Sequence, residues 1–269
     1  MHVSPTSDLN VSFDEGRLEI AFNRPACRNL INYEMLEALS ATCRAAQNDP
    51  AVRVVVLRGE GDDFSAGDDF DDMGEWPERF AHRRPGGGHG PAPLPEQDAI
   101  RALRALMKPS IAVIRGQALG LALDLAAVCD VRIAARSAEI GDPRIHQGRA
   151  ASTGISYVLP RLIGQSQATR IMLLGETLNA DEALRIHLLH RVVDDDVFDD
   201  SAAALVREIV ALPTRSWEVH KKQVIPQLDL GFEAAMTHCL GIRQTHVIED
   251  IVEGRLAFRE RRDPHFTGR

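Results

Sequence analysis

Two short apolar runs constrain this chain more than any other feature. Val52–Leu57 and Ser110–Ile114 are nearly unbroken, rich in β-branched residues and too short to be helices. Runs of this kind read as strands buried on both faces. Glycine-bearing loops follow them, Gly59-Glu60-Gly61-Asp62-Asp63 after the first and Arg115-Gly116-Gln117-Ala118-Leu119-Gly120 after the second. Helical stretches come next, at Ala99–Met107 and Leu121–Cys129, and a further strand is expected at Val131–Ala134. Strand, loop and helix repeated at least twice predict an α/β fold with a parallel or mixed sheet covered by helices. Upstream, Val11, Phe13, Leu18, Ile20 and Phe22 alternate with polar neighbours about Asp14-Glu15-Gly16, the pattern of a hairpin. Met35, Leu36, Leu39 and Cys43 fall at helical spacing between Asn32 and Gln47, and Asp49-Pro50 stops that helix. Beyond Gly154 the pattern is almost wholly helical, at 168–174, 180–186, 201–212 and from Phe232 onward. The expected division is an α/β core over 1–200 and a helical region over 201–269, without internal repeats.

Composition narrows the functional classes. With 269 residues and 44% hydrophobic content, the chain can bury a sizeable core. A formal net charge of −8 offers no broad basic face, so no nucleic-acid partner is expected. No run approaches the roughly 18 apolar residues of a membrane span. Residues 1–8 lack the basic and apolar stretches of a signal peptide, so the cytoplasm is the expected compartment. Cys27, Cys43, Cys129 and Cys239 make no metal or redox spacing and read as free thiols. Pro85–Pro95, full of glycine and proline, reads as a domain linker or as a loop over a pocket. The alternation resumes unchanged beyond it, which favours the loop.

Four segments carry a resemblance. They are Asn23–Asn32, Phe64-Ser65-Ala66-Gly67-Asp68-Asp69-Phe70, Gly116–Leu125 with Cys129-Asp130, and Glu253–Arg262 with Pro264. Their residues, order and spacing resemble the crotonase, or enoyl-CoA hydratase/isomerase, superfamily over essentially the whole chain. The resemblance implies a spiral of β-β-α units with a C-terminal helical trimerisation region, and assembly as a homotrimer or homohexamer. It implies an acyl-CoA substrate, with coenzyme A as part of that substrate and no other cofactor. Coenzyme contacts would come from Arg24, Arg28, Ala66, Phe258 and Arg261, the last facing a phosphate. The backbone N–H groups of Asp68 and Leu121 would form an oxyanion hole. Making an enolate from a thioester, or adding a nucleophile β to it, puts negative charge on the carbonyl oxygen. Two fixed N–H donors stabilise that charge, and losing one typically costs about 3–4 kcal/mol. Leu121 follows Gly120 at a helix start, so the helix dipole would point at the same oxygen. A Leu where the family usually has Gly is expected to crowd the thioester or to shape the acyl pocket, with Leu119 and Leu123 as further apolar lining or core.

The resemblance breaks where the reaction would be decided. Family hydratases use two carboxylates. The first falls at Asp124, an Asp in place of Glu, whose reach is shorter by about 1.5 Å. The second falls at position 144, which is Arg. Beside the pocket, Arg144 is expected to lower the pKa of Asp124 or to hold an anionic substrate group; it cannot act as a base. His146 is offset by two residues, and an alternative reading makes it the base of a hydrolase cleaving a β-dicarbonyl substrate. A third reading is a non-catalytic acyl-CoA-binding paralogue. The bland alternatives are helix capping for Asp124, a surface role for Arg144 and a packed or exposed ring for His146. Ser152 and Thr153 could bind substrate or cap the next helix. His187 and His190 have metal-binding spacing, but no carboxylate completes a ligand set, so no metal is expected. His220-Lys221-Lys222 with Arg259, Arg261 and Arg262 reads as a solvated basic face. Residues 71–98 are expected to help form the acyl pocket. The principal reading is an enzyme with Asp124 as main acid/base, performing a reaction other than standard short-chain hydration.

Overall fold

The computed structural model describes residues 6–73, 94–227 and 229–269. Strands β1 (Leu9–Asp14) and β2 (Arg17–Phe22) pair antiparallel around a two-residue turn. Both turn residues, Glu15 and Gly16, have positive φ, which matches the right-handed twist of a hairpin. Helix α1 (Tyr33–Asn48) starts where Asn32 accepts a hydrogen bond from the Met35 N–H at 2.8 Å. Strand β3 (Val54–Gly59), the short α2 (Phe70–Met73), α3 (Pro95–Ala105) and β4 (Ser110–Ile114) follow. Pro95 opens α3 at the first helical position, where its missing N–H costs nothing. The rest of the 85–95 stretch, apart from Leu94, and the greater part of 71–98 lie outside the described residues.

Next come β5 (Gln117–Leu119), α4 (Leu121–Val128), β6 (Val131–Ala135) and β7 (Glu139–Gly141). A 3-10 turn at Pro143–Gln147 leads into α5 (Ile155–Ile163) and α6 (Gln165–Leu173), then β8 (Thr177–Asn179), α7 (Ala180–Arg185) and β9 (Arg191–Val193). The chain ends in α8 (Phe198–Ala211), α9 (Thr214–Gln227), α10 (Phe232–Thr245) and α11 (Asp250–Glu260).

The larger sheet has the order β1-β2-β3-β4-β6-β9, antiparallel only between β1 and β2. The smaller sheet has the order β5-β7-β8, and Ser65 joins β5 through a single parallel bridge to Ala118. Successive passes therefore place one strand in the larger sheet and one extended segment in the smaller before a helix: β3 then Ser65, β4 then β5, β6 then β7. Strand β3 is buried on both faces. Val55 and Leu57 enter the main core, whereas Val54 and Val56 meet Phe198, Leu205 and Ile209 of α8. The fold is thus the mixed α/β spiral expected.

Two expectations need correction. The chain beyond Gly154 is not almost wholly helical, because β8 and β9 add a strand to each sheet. At three residues each they are too short to display a period. The helix expected from Phe232 onward is two helices, interrupted at 246–249, and α5 and α9 went unread. No helix among the described residues is long and apolar enough to cross a membrane.

Candidate active site

Two glycine turns build the centre of the site. Ser65 N–H donates to the Gln117 carbonyl at 2.8 Å, and Leu119 N–H donates back to Ser65 at 3.2 Å, so the segments run side by side. Gly67 then turns at φ +109, where a Cβ would come within 2.9 Å of the Leu119 carbonyl oxygen. Gly120 turns at φ 54 and ψ −116, a conformation open only to glycine. Its N–H is anchored on the Gly141 carbonyl at 2.9 Å, tying the turn to β7. The residues that follow these glycines, Asp68 and Leu121, have backbone N–H groups without a hydrogen-bond acceptor among the described residues. Leu121 is also the first residue of α4, at the positive end of its dipole. Its side chain and that of Leu123 are both buried in the main core.

Three residues along α4, Asp124 has 0% exposure and is not a cap. Arg144 Nη2 donates to its Oδ1 and Arg144 Nη1 to its Oδ2, both at 2.8 Å. Thr153 Oγ1 adds a 2.6 Å bond to Oδ2. Arg144 itself is 4% exposed, which excludes a surface role. It also grips Asp142, through Nε at 2.6 Å and Nη2 at 2.9 Å. One N–H from Nε, one from Nη1 and two from Nη2 are therefore committed, four of the five a guanidinium has. Most of its donor capacity thus serves two carboxylates of its own chain, leaving one N–H for an anionic substrate group. The expected downward pull of Arg144 on the Asp124 pKa is present, but it does not set the net direction. Complete burial pushes the carboxyl up to about 6, outweighing the downward pull of Arg144 and Thr153. Burial opposes the charge on Arg144 too, but its hydrogen bonds to Asp124 and Asp142 hold it protonated.

The surrounding shell contains groups that sequence reasoning passed over. Arg149 Nη1 donates to Asp68 Oδ2 at 3.1 Å while its guanidinium lies 4.3 Å from the centre of the Phe70 ring. Glu96, in the first turn of α3, is buried and accepts a 2.9 Å hydrogen bond from Ser152 Oγ through Oε1. Nothing in sequence marks Glu96, because a Glu in a first helical turn is ordinarily a dipole partner. Ser152 and Thr153 thus hold two different carboxyls, and neither caps α5, whose N-cap is Gly154.

Other candidates are dispersed. His146 is exposed, and its ring lies against Gly175 so closely that a methyl group there would overlap it. No hydrogen bond joins it to Asp124, Asp68 or Leu121. Arg24 is committed to Asp69 at 2.6 Å and to the Leu30 carbonyl at 2.8 Å. Arg28 and Ala66 are adjacent, the Ala66 N–H donating to the Arg28 carbonyl at 2.9 Å, and the Arg28 side chain reaches Gln117. Phe258 is 85% exposed on α11, and Arg261 is its exposed C-cap at φ 54. The basic face is only partly solvated: Lys221 is buried against Asp130 at 2.8 Å, and Arg262 pairs with Glu253. Among the described residues no cluster of His, Cys, Asp and Glu could hold a metal ion, and His190 Nδ1 accepts from the Arg132 N–H instead.

Comparison with known proteins follows the same outline. The family model described as enoyl-CoA hydratase/isomerase matches residues 12–269. A protein of Mycobacterium bovis named "Probable enoyl-CoA hydratase echA12" is 34% identical over 253 residues, covering 93% of this chain and 88% of that protein. The crotonyl-CoA hydratase of Syntrophomonas wolfei is 30% identical over 260 residues, covering 95% and 96%. Among solved structures, an enoyl-CoA hydratase from Bacillus anthracis superposes with a TM-score of 0.86 at 25% identity, covering 97% and 100%.

Proposed function

The chain belongs to the enoyl-CoA hydratase/isomerase family, and on that premise we propose that it binds an acyl-CoA thioester and stabilises the enolate made from it. One observation carries the reading. Two free backbone N–H groups, on Asp68 and Leu121, lie at neighbouring glycine turns beside a buried carboxyl. A thioester oxygen received there meets two donors and a helix dipole, with no solvent to reorganise. Asp124 is the acid/base in this reading. Its Oδ2 accepts from both Arg144 and Thr153, whereas Oδ1 accepts from Arg144 alone and keeps a lone pair for a substrate proton.

Standard hydration holds water between two carboxylates, and Arg144 leaves no second one at that position. We therefore assign a reaction in which protons move to and from carbon, with double-bond isomerisation the leading case. Arg28, Ala66, Phe258 and Arg261 are the proposed coenzyme contacts, and the proposed assembly is a homotrimer or homohexamer. Asp124 is clamped by Arg144, and that observation favours a second reading, an acyl-CoA-binding paralogue without chemistry. Exchange of α-protons for deuterium, followed across a panel of acyl-CoA thioesters, separates the two. Wild-type exchange that falls at least 100-fold in Asp124→Asn supports the enzyme. Tight binding without exchange on any thioester supports the paralogue.

A further inference from the structure

Glu96 is a buried carboxyl near the site that the proposed reaction does not use and that no cation pairs with among the described residues. It is 8% exposed, and its Oε2 is sealed from solvent without a hydrogen-bond partner among the described residues. Oε1 is fixed by Ser152 Oγ at 2.9 Å, and the neighbouring Thr153 holds Asp124. Gln97, one residue along α3, donates to the Ser152 carbonyl at 2.7 Å, so the start of α3 and the Ser152-Thr153 segment are locked together. One short segment thereby positions two carboxyls arriving on different helices, Asp124 on α4 and Glu96 on α3.

A buried carboxylate oxygen without a donor is costly, because ionisation leaves the charge unsolvated. A protonated oxygen carries no such charge. Burial raises the pKa of Glu96 foremost; its own backbone N–H and Ser152 oppose that, Asp68 adds to it and Arg149 subtracts. Asp68 and Arg149 are also the pair beside the oxyanion turn, so Glu96 lies within electrostatic range of the site's own charges.

We propose that Glu96 is the second proton-transferring carboxyl of this site, supplied by α3 in place of the carboxylate that position 144 lacks. The proposal rests on the enolate reading above. In a 1,3-shift of a 3-enoyl thioester, Asp124 takes a proton from the α-carbon, and the C–H electron pair becomes part of a dienolate held by the Asp68 and Leu121 N–H groups. Glu96 Oε2 gives its proton to the γ-carbon, where the new C–H bond forms. The double bond settles between the α- and β-carbons, and Glu96 is left as carboxylate. Transfer of the proton from Asp124 to solvent, and uptake of one by Glu96, resets the site without any other reactant.

Glu96→Gln removes the acid and keeps the shape. Two rates are read on the full chain: α-deuterium exchange into a saturated acyl-CoA, and isomerisation of a 3-enoyl-CoA to the 2-enoyl form. The expected result is a loss of at least 100-fold in isomerisation with a much smaller loss in exchange, at an unchanged melting temperature. Glu96→Asp, which keeps an acid but draws it back by one methylene, is expected to fall between wild type and Glu96→Gln. Unaltered isomerisation in a folded Glu96→Gln protein overturns the proposal, as does a parallel loss of both rates. A wild-type protein that does neither reaction removes the enolate reading itself, and the Glu96 role with it.

Discussion

Arg144 shows how one substitution reorganises a site. Its sequence position suggested a cation beside Asp124, and the structure brings the two together, but with Asp142 as a third member and with water excluded. Neither that third member nor the burial is legible in sequence; Arg144 pulls the Asp124 pKa down as its charge implies, and burial outweighs it. A guanidinium between two buried carboxylates is worth less as a source of stability than as a neutraliser. Arg144→Met therefore leaves two buried charges unpaired and is expected to destabilise the chain by about 3–5 kcal/mol. Urea denaturation checks this, and a change below about 1 kcal/mol would mean that the carboxylates do not depend on Arg144 for compensation.

At the scale of elements, the long buried strands and most of the late helices announced themselves, whereas β8, β9, α5 and α9 did not. Strand β3 is buried on both sides, so its run of valines was diagnostic, and the Gly67 and Gly120 turns were legible because backbone geometry demands glycine there. Strands β8 and β9 take their conformation from the sheet edges they join, which a three-residue stretch cannot signal. Helix α10 left a different mark. Phe232, Met236 and Leu240 recur every four residues on one stripe, and all three are exposed, as are Val252 and Phe258 on α11. Apolar stripes of this extent on an isolated chain mark interaction surfaces. A second copy of the chain is the proposed cover, in line with the homotrimer or homohexamer. Light scattering is expected to give a multiple of 29.6 kDa, and Met236→Glu to shift it toward the single-chain mass. A wild-type protein running at 29.6 kDa at micromolar concentration would sink the assembly.

For the whole molecule, the Asp124 carboxyl couples stability to activity in opposite senses. Its folded pKa of about 6 lies above the ordinary 3.8, so between these values the folded chain retains a proton that the unfolded chain has lost. Stability is consequently highest below about pH 4 as far as this group is concerned, and declines as pH rises toward about 6. Within that window the slope approaches about 1.4 kcal/mol per pH unit, and above it the contribution levels off. A base must be ionised to accept a proton, so α-proton exchange is expected to rise across the same window and then plateau. Other carboxylates titrate there as well, and the Asp124 share is isolated by subtracting the pH profile of Asp124→Asn from that of wild type. The difference is expected to fall in stability while exchange rises, with both changes centred near pH 5 to 6. A stability difference independent of pH would mean that the clamp from Arg144 overcomes burial and keeps Asp124 ionised throughout. Asp124 would then be a base of low pKa, poorly matched to an α-proton, and the enolate reading would lean on a carboxyl held protonated, as proposed for Glu96.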